Sequence, residues 1–164
     1  MKKRISADPL IAKEADVELT SGSGTAKRAA EVLVAKKAGF FVPTPKQKKN
    51  LVVAFAKRDM VVYGKAFDIV RLSEPVELDD LEEVEANLTK IQIFEIKSTR
   101  KNLKADFSNY FFALTAAEVL VAQSLKKYFK FIFVNVNTGD FLEMDLREIF
   151  ARSRGIYPTW SILF

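Results

Sequence analysis

The stretch Ile91-Gln92-Ile93-Phe94-Glu95-Ile96-Lys97 decides how this chain is read. Its side chains alternate with period two, so Ile91, Ile93, Glu95 and Lys97 share one face while Phe94 and Ile96 point to the other. Both faces are apolar, the pattern of an interior strand. A carboxylate and an ammonium at one end of such a strand are costly unless something pairs with them. A bound cation and a substrate phosphate would do so, and strand ends bordering a cleft are where α/β sheets carry their sites. Asp68 repeats the pattern upstream, as a lone carboxylate inside Ala66-Phe67-Asp68-Ile69-Val70. Two carboxylates from adjacent strands can share one hard cation, with Lys97 near the attacking water. This is the arrangement of metal-assisted phosphodiester hydrolysis. Asp59 is the fallback for the upstream carboxylate. The bland alternative is an intrastrand ion pair at a solvated strand end.

Composition narrows the rival chemistries. The 164-residue chain has no Cys and no His. Disulfides, Cys/His zinc sites, Ser-His-Asp triads and nucleases with a histidine base are therefore excluded. Any metal must sit among carboxylates and carbonyls, which favours Mg²⁺, with Mn²⁺ as a substitute. Any general base is Asp, Glu, Lys, Tyr or water. A D/E-x-K triplet arises about once by chance in so charged a chain, but Glu95-Ile96-Lys97 is the only one here and falls on the strongest strand.

Hydrophobic residues make up 49% of the chain, with 14 Phe, enough for one sizeable core. The net charge is +5 and the pI about 9.3, compatible with nucleic-acid binding. Six acidic residues, Glu77, Asp79, Asp80, Glu82, Glu83 and Glu85, crowd one segment, which leaves the remainder more basic than the total suggests. No apolar run is long enough to span a membrane. The basic start Met1-Lys2-Lys3-Arg4 lacks the apolar stretch of a signal peptide. A soluble, cytoplasmic protein is the expectation.

Working outward, residues 1–20 read as an arm or short extra element and 21–164 as one domain. Ser21 to Gly24 form a breaker and cap cluster. Thr25 to Ala38 read as a helix with Ala26, Ala29, Ala30, Leu33 and Val34 on one face and Gly39 as its stop. Phe40 to Val42 read as a short strand, Pro43 to Asn50 as a basic loop, and Leu51 to Phe55, Met60 to Tyr63 and Ala66 to Leu72 as strands. The acidic segment from Ser73 to Leu88 reads as a loop with a short helical turn. After the Lys90–Ser98 strand and the polar loop from Thr99 to Ser108, Thr115 to Tyr128 read as a helix with Ala116, Val119, Leu120 and Ala122 or Gln123 at helical spacing. Phe131 to Val136 and Phe141 to Met144 read as strands around the Asn137–Asp140 turn, Asp145 to Arg154 as a helix, and Tyr157 to Phe164 as a terminal strand. The apolar end, with Trp160, Ile162, Leu163 and Phe164, suits core packing or an edge strand joining a homodimer. The fold class expected is mixed α/β with a central sheet flanked by helices.

Helix, Asp68 on a strand, Glu95-Ile96-Lys97 on the next, then a helix: this order resembles the PD-(D/E)XK nuclease superfamily, the restriction-endonuclease-like fold. A closer likeness covers Phe94 to Val136, where Phe94-Glu95-Ile96-Lys97-Ser98-Thr99-Arg100 is followed by Phe112-Ala113-Leu114-Thr115-Ala116-Ala117-Glu118 and by Tyr128-Phe129-Lys130-Phe131-Ile132-Phe133-Val134. This part is similar to the nuclease-like C-terminal domain of No Vein-type and restriction-associated proteins. The resemblance implies that Asp68 and Glu95 bind Mg²⁺ with the Ile96 carbonyl, and that Lys97 orients or deprotonates the water. Some members add a Glu from the first helix; Glu31 is the residue that could match, with a solvated helix face as the equal alternative. Related domains often carry a Glu at the place of Glu118, which reads either as supporting the site or as a core-edge residue. Phe67 departs from the Pro that the family pattern puts before the Asp, and an acidic insertion separates Asp68 from Glu95.

Ser98, Thr99, Arg100, Lys101 and Lys104 leave the strand at the expected catalytic end and could hold flanking phosphates. Lys46, Lys48 and Lys49 could clamp the DNA backbone, or form a solvated charge run. Gly155-Ile156-Tyr157 has no partner segment for a GIY-YIG signature, and the Gly22–Lys27 stretch lacks phosphate-loop spacing, so both are set aside. The leading expectation is an Mg²⁺-dependent endonuclease on double-stranded DNA, a Type II-like or modification-dependent restriction enzyme. It would act as a symmetric homodimer, with a cognate methyltransferase as a functional partner. A junction-resolvase-like repair or recombination nuclease and a non-catalytic DNA-binding module are the alternatives.

Overall fold

Residues 24–36 and 38–157 are described by the computed structural model. The proposed arm over 1–20, the start of the cap cluster and most of the terminal strand, with its apolar end, lie outside the described residues. Five strands form one mixed sheet: β1 (Phe40–Phe41), β2 (Ile69–Leu72), β3 (Ile91–Thr99), β4 (Phe129–Asn135) and β5 (Phe141–Met144). They lie in chain order, with β3 in the middle. Neighbours are antiparallel except β3 and β4, which run parallel. A parallel pair needs a crossover, and helix α4 (Ala116–Leu125) lies in it. The other helices are α1 (residues 24–35), α2 (Pro45–Ala56), α3 (Leu81–Ala86) and α5 (Leu146–Arg152). No helix among the described residues is long and apolar enough to cross a membrane.

The alternation in β3 divides the core in two. Ile91 and Ile93 pack in one cluster with Leu51 and Phe55 of α2 and Val121 and Leu125 of α4. Phe94 and Ile96 pack in the other, with Ala29, Ala30 and Leu33 of α1 and Ile132 and Val134 of β4. On the α1 face, Arg71 spans the sheet: it pairs with Glu143, donates to Gln92 and lies against the rings of Phe40 and Phe94. Cations on this face are thus already partnered by the fold.

Two expectations fail between β1 and β2. Pro43 to Asn50 is not a loop and Leu51 to Phe55 is not a strand; together they contribute to α2. Thr44 accepts from the Gln47 amide and the Gln47 side chain accepts from the Thr44 amide, a capping box, with Pro45 in the first turn. Leu51, Ala54 and Phe55 then face the core at helical spacing. A five-residue apolar run does not itself distinguish strand from helix; the cap seven residues earlier does. Met60 to Tyr63 form no strand either. Asp59, at φ 58°, turns the chain after α2, and the amide of Val61 is bonded by Ser124 Oγ at 2.6 Å instead of by a neighbouring strand.

The acidic segment is held by α2 and by its own helix. Asp80 caps α3, Lys46 and Gln47 meet Asp79, and Lys57 meets Glu85. Its charges are therefore locally compensated and packed beside α2.

Candidate active site at the divergence of β2 and β3

The pairing of β2 with β3 runs from Leu72 opposite Ile91 to Ile69 opposite Phe94. The Ser73 amide donates to the Lys90 carbonyl at 3.0 Å, so in this register every second pair, including Ile69 with Phe94 and next Phe67 with Ile96, is of the hydrogen-bonded kind. The ladder stops before that next bond forms. The Asp68 amide donates to the Phe94 carbonyl at 2.8 Å. The Ile96 amide donates to Asp68 Oδ2 at 3.0 Å instead of to Phe67. From Glu95 onward β3 continues beside β4, while β2 has left its other edge. The opening this creates is where the polar residues of β3 stand.

Glu95 and Lys97 lie on the α2/α4 face of the sheet. Glu95 is 8% exposed, and Lys97 Nζ lies 3.2 Å from Glu95 Oε1 and 2.8 Å from Glu118 Oε2. The side chains of all three are nearly closed to solvent. An ion pair at a solvated strand end does not describe this arrangement. Burial is the largest influence on Glu95 and pushes its carboxyl up to about 9; the Asp68 charge and the hydrogen bond and charge of Glu118 add to it, while Lys97 opposes them. At neutral pH Glu95 therefore keeps its proton, and Asp68, Glu95, Glu118 and Lys97 form one electrostatic unit.

Glu118 enters through helix α4. Thr115 Oγ1 accepts from the Glu118 amide at 3.2 Å and Glu118 Oε2 accepts from the Thr115 amide at 3.0 Å. The same Oε2 receives Lys97. The face expected for this helix is corrected: Leu120 is 51% exposed, Gln123 is exposed, and the buried positions are Glu118, Val121, Ala122 and Leu125. The apolar stripe, carried back one turn by the i, i+3, i+4, i+7 rule, lands on Glu118, which was the signal for its burial. Glu118→Gln is expected to leave the unfolding midpoint nearly unchanged, because Gln closes a capping box as Glu does. It should lower the Glu95 titration, read from the carboxyl carbon by NMR. A purely structural Glu118 would leave that titration where it is.

The remaining sequence candidates are distributed as follows. Glu31 is exposed on α1, whose core contacts are to the sheet face opposite Glu95, so it is not brought to the carboxylates. The helix packed on their face ahead of Asp68 is α2. Asp59 is exposed at the turn after α2. Lys46 is exposed and 3.6 Å from Asp79, and Lys49 is exposed. Lys48 is half-buried and donates to the Phe67 carbonyl at 2.8 Å. Beyond β3, Thr99 is buried and its Oγ1 accepts from the Lys101 amide. Ser98 is half-buried, with its carbonyl bonded by Tyr110. Asn135 and Asn137 hold the carbonyls of Lys101 and Arg100. Arg100, Lys101 and Lys104 are exposed on this tethered loop.

A divalent cation would find oxygen donors only, from Asp68 and Glu95, with the Ile96 peptide beside them. Among the described residues no three carboxylates stand at metal-ligand spacing. Two carboxylates suffice for Mg²⁺, which keeps several waters and takes substrate phosphate oxygens as further ligands; the donor set fits that cation. No protein-family model, curated protein or solved structure matches the chain.

Proposed function

We propose that this protein is an Mg²⁺-dependent endodeoxyribonuclease of the PD-(D/E)XK kind, built on a restriction-endonuclease-like core and acting in restriction or defence. The observation that carries the reading is the meeting of Asp68, Glu95 and Lys97 on one sheet face where β2 leaves β3. Asp68 and Glu95 would hold the cation, which when bound acidifies water and offsets charge on the phosphate. Asp68 uses one carboxylate oxygen on the Ile96 amide and can offer the other. Glu95 gives up its proton on binding. Lys97, retained by Glu118, keeps an ammonium beside the reacting phosphate and orients the attacking water. Arg100, Lys101 and Lys104 meet flanking phosphates, and the basic balance of the chain favours a polyanion. Double-strand cutting with one such centre per chain calls for a homodimer on DNA.

The test is incubation of the purified chain with methylated, unmethylated and branched DNA in Mg²⁺ or Mn²⁺, with the ends sequenced. Cleavage of duplex that Asp68→Asn abolishes supports the reading. Cutting confined to branched DNA would make the protein a resolvase-like nuclease instead. Absence of cleavage on every substrate, by wild type as by variant, sinks the enzyme.

A further inference from the structure

Lys48 is spent on the backbone beside Asp68. Its Nζ lies 2.8 Å from the Phe67 carbonyl and 3.5 Å from that of Gly64. It also stands 4.9 Å from the centre of the Phe67 ring, and Phe67 is fully buried. The register of β2 on β3 assigns that Phe67 carbonyl to the Ile96 amide. Both halves of this one missing ladder bond are satisfied by side chains: the carbonyl by Lys48, the amide by the Asp68 carboxylate. A buried carbonyl and amide each need a partner, so the two substitutions depend on each other. With Lys48 on Phe67, the Ile96 amide is free to fix Asp68. Without it, the carbonyl and the amide are each other's natural partners.

We propose that Lys48 is a positioning residue that holds β2 apart from β3 and thereby aims the Asp68 carboxylate at the Glu95 edge. It acts from α2, whose Thr44–Gln47 cap sets the first turn and places Lys48 on the side of the Gly64–Phe67 segment. This role replaces the backbone-clamp reading of Lys48 drawn from its neighbours Lys46 and Lys49. Its consequence for cation binding rests on the nuclease reading above; the hydrogen-bond switch does not.

The experiment compares wild type with Lys48→Met, which keeps the aliphatic stem, and Lys48→Arg, which keeps a cationic donor. Couplings across hydrogen bonds in the isotope-labelled protein identify the acceptor of the Ile96 amide. In wild type and Lys48→Arg it should be the Asp68 side chain; in Lys48→Met it should become the Phe67 carbonyl. Mn²⁺ affinity, measured calorimetrically without DNA, should fall roughly 10–100-fold in Lys48→Met, the range for losing a group that orients a ligand. Duplex affinity without divalent cation should keep its salt dependence. If Lys48→Met leaves the Ile96 amide on Asp68 and lowers the salt slope by about one, Lys48 is a phosphate contact and the proposal is overturned. Should Lys48→Met fail to fold, an Ile96 amide in Lys48→Arg bonded elsewhere than to Asp68 would also overturn it. If the acceptor switches while wild type binds no Mn²⁺ and cuts nothing, positioning stands and the nuclease reading falls.

Discussion

Lys97→Ala is expected to lose cleavage by about 10²–10⁴-fold, the usual contribution of a positioned proton-transfer or water-orienting group. Duplex binding in Ca²⁺ should persist. Lys97 Nζ is the cation between Glu95 and Glu118, and its loss leaves two buried carboxyls facing each other. Because Lys97 alone among the neighbours lowers the Glu95 titration, the variant should hold the Glu95 proton more tightly and require more Mg²⁺ at a given pH. Single-turnover rates across an Mg²⁺ series separate the two losses: saturating Mg²⁺ should restore occupancy but not the rate. A variant within threefold of wild type at saturation would remove Lys97 from the chemistry.

The second large effect is on stability against pH. The Glu95 carboxyl is raised from the usual 4.5 to about 9 in the folded protein, chiefly by burial. Below 4.5 both folded and unfolded chains hold this proton, and Glu95 contributes no slope. Between 4.5 and about 9 the folded state keeps a proton that the unfolded chain has released. Stability from this group is therefore lost as pH rises through that window, with a slope approaching 1.4 kcal/mol per pH unit, flattening above it. Urea unfolding without divalent cation should show the decline, and Glu95→Gln should remove most of it. Mg²⁺ should offset it at pH 8 to 9, since the cation takes the proton's place and its affinity rises with pH. A Glu95→Gln variant with the same slope as wild type would show that another group carries the dependence.

Much of the sheet follows from local pattern. β3 is legible because its period of two and its doubly apolar faces leave no other element that could bury both. The turn at Asn137 to Asp140 and the return strand β5 are legible for the same kind of reason. Element α2 was misread although its cap, Thr44-Pro45-Lys46-Gln47, is written in the sequence. The β-branched run that follows resembles a strand when judged by composition, and only the capping hydrogen bonds and the core it faces decide otherwise. The face of α4 was displaced for a related reason: Glu118 is charged, so burial by a tertiary partner, Lys97, was not visible from helical periodicity.

By itself, the sequence determined which chemistry is open to this protein: no His, no Cys, carboxylates at Asp68 and Glu95, and a lysine two residues on in the same strand face. Alternation alone puts Glu95 and Lys97 together, because a strand returns to the same face every second residue. What only the tertiary structure decided is which distant groups complete the centre. Glu118 arrives across the β3–α4–β4 crossover, Glu31 is carried to the opposite sheet face by α1, and Lys48 turns inward to the Phe67 carbonyl. These outcomes depend on where β2 parts from β3, a hydrogen-bond choice between segments far apart in the chain, which no local period encodes.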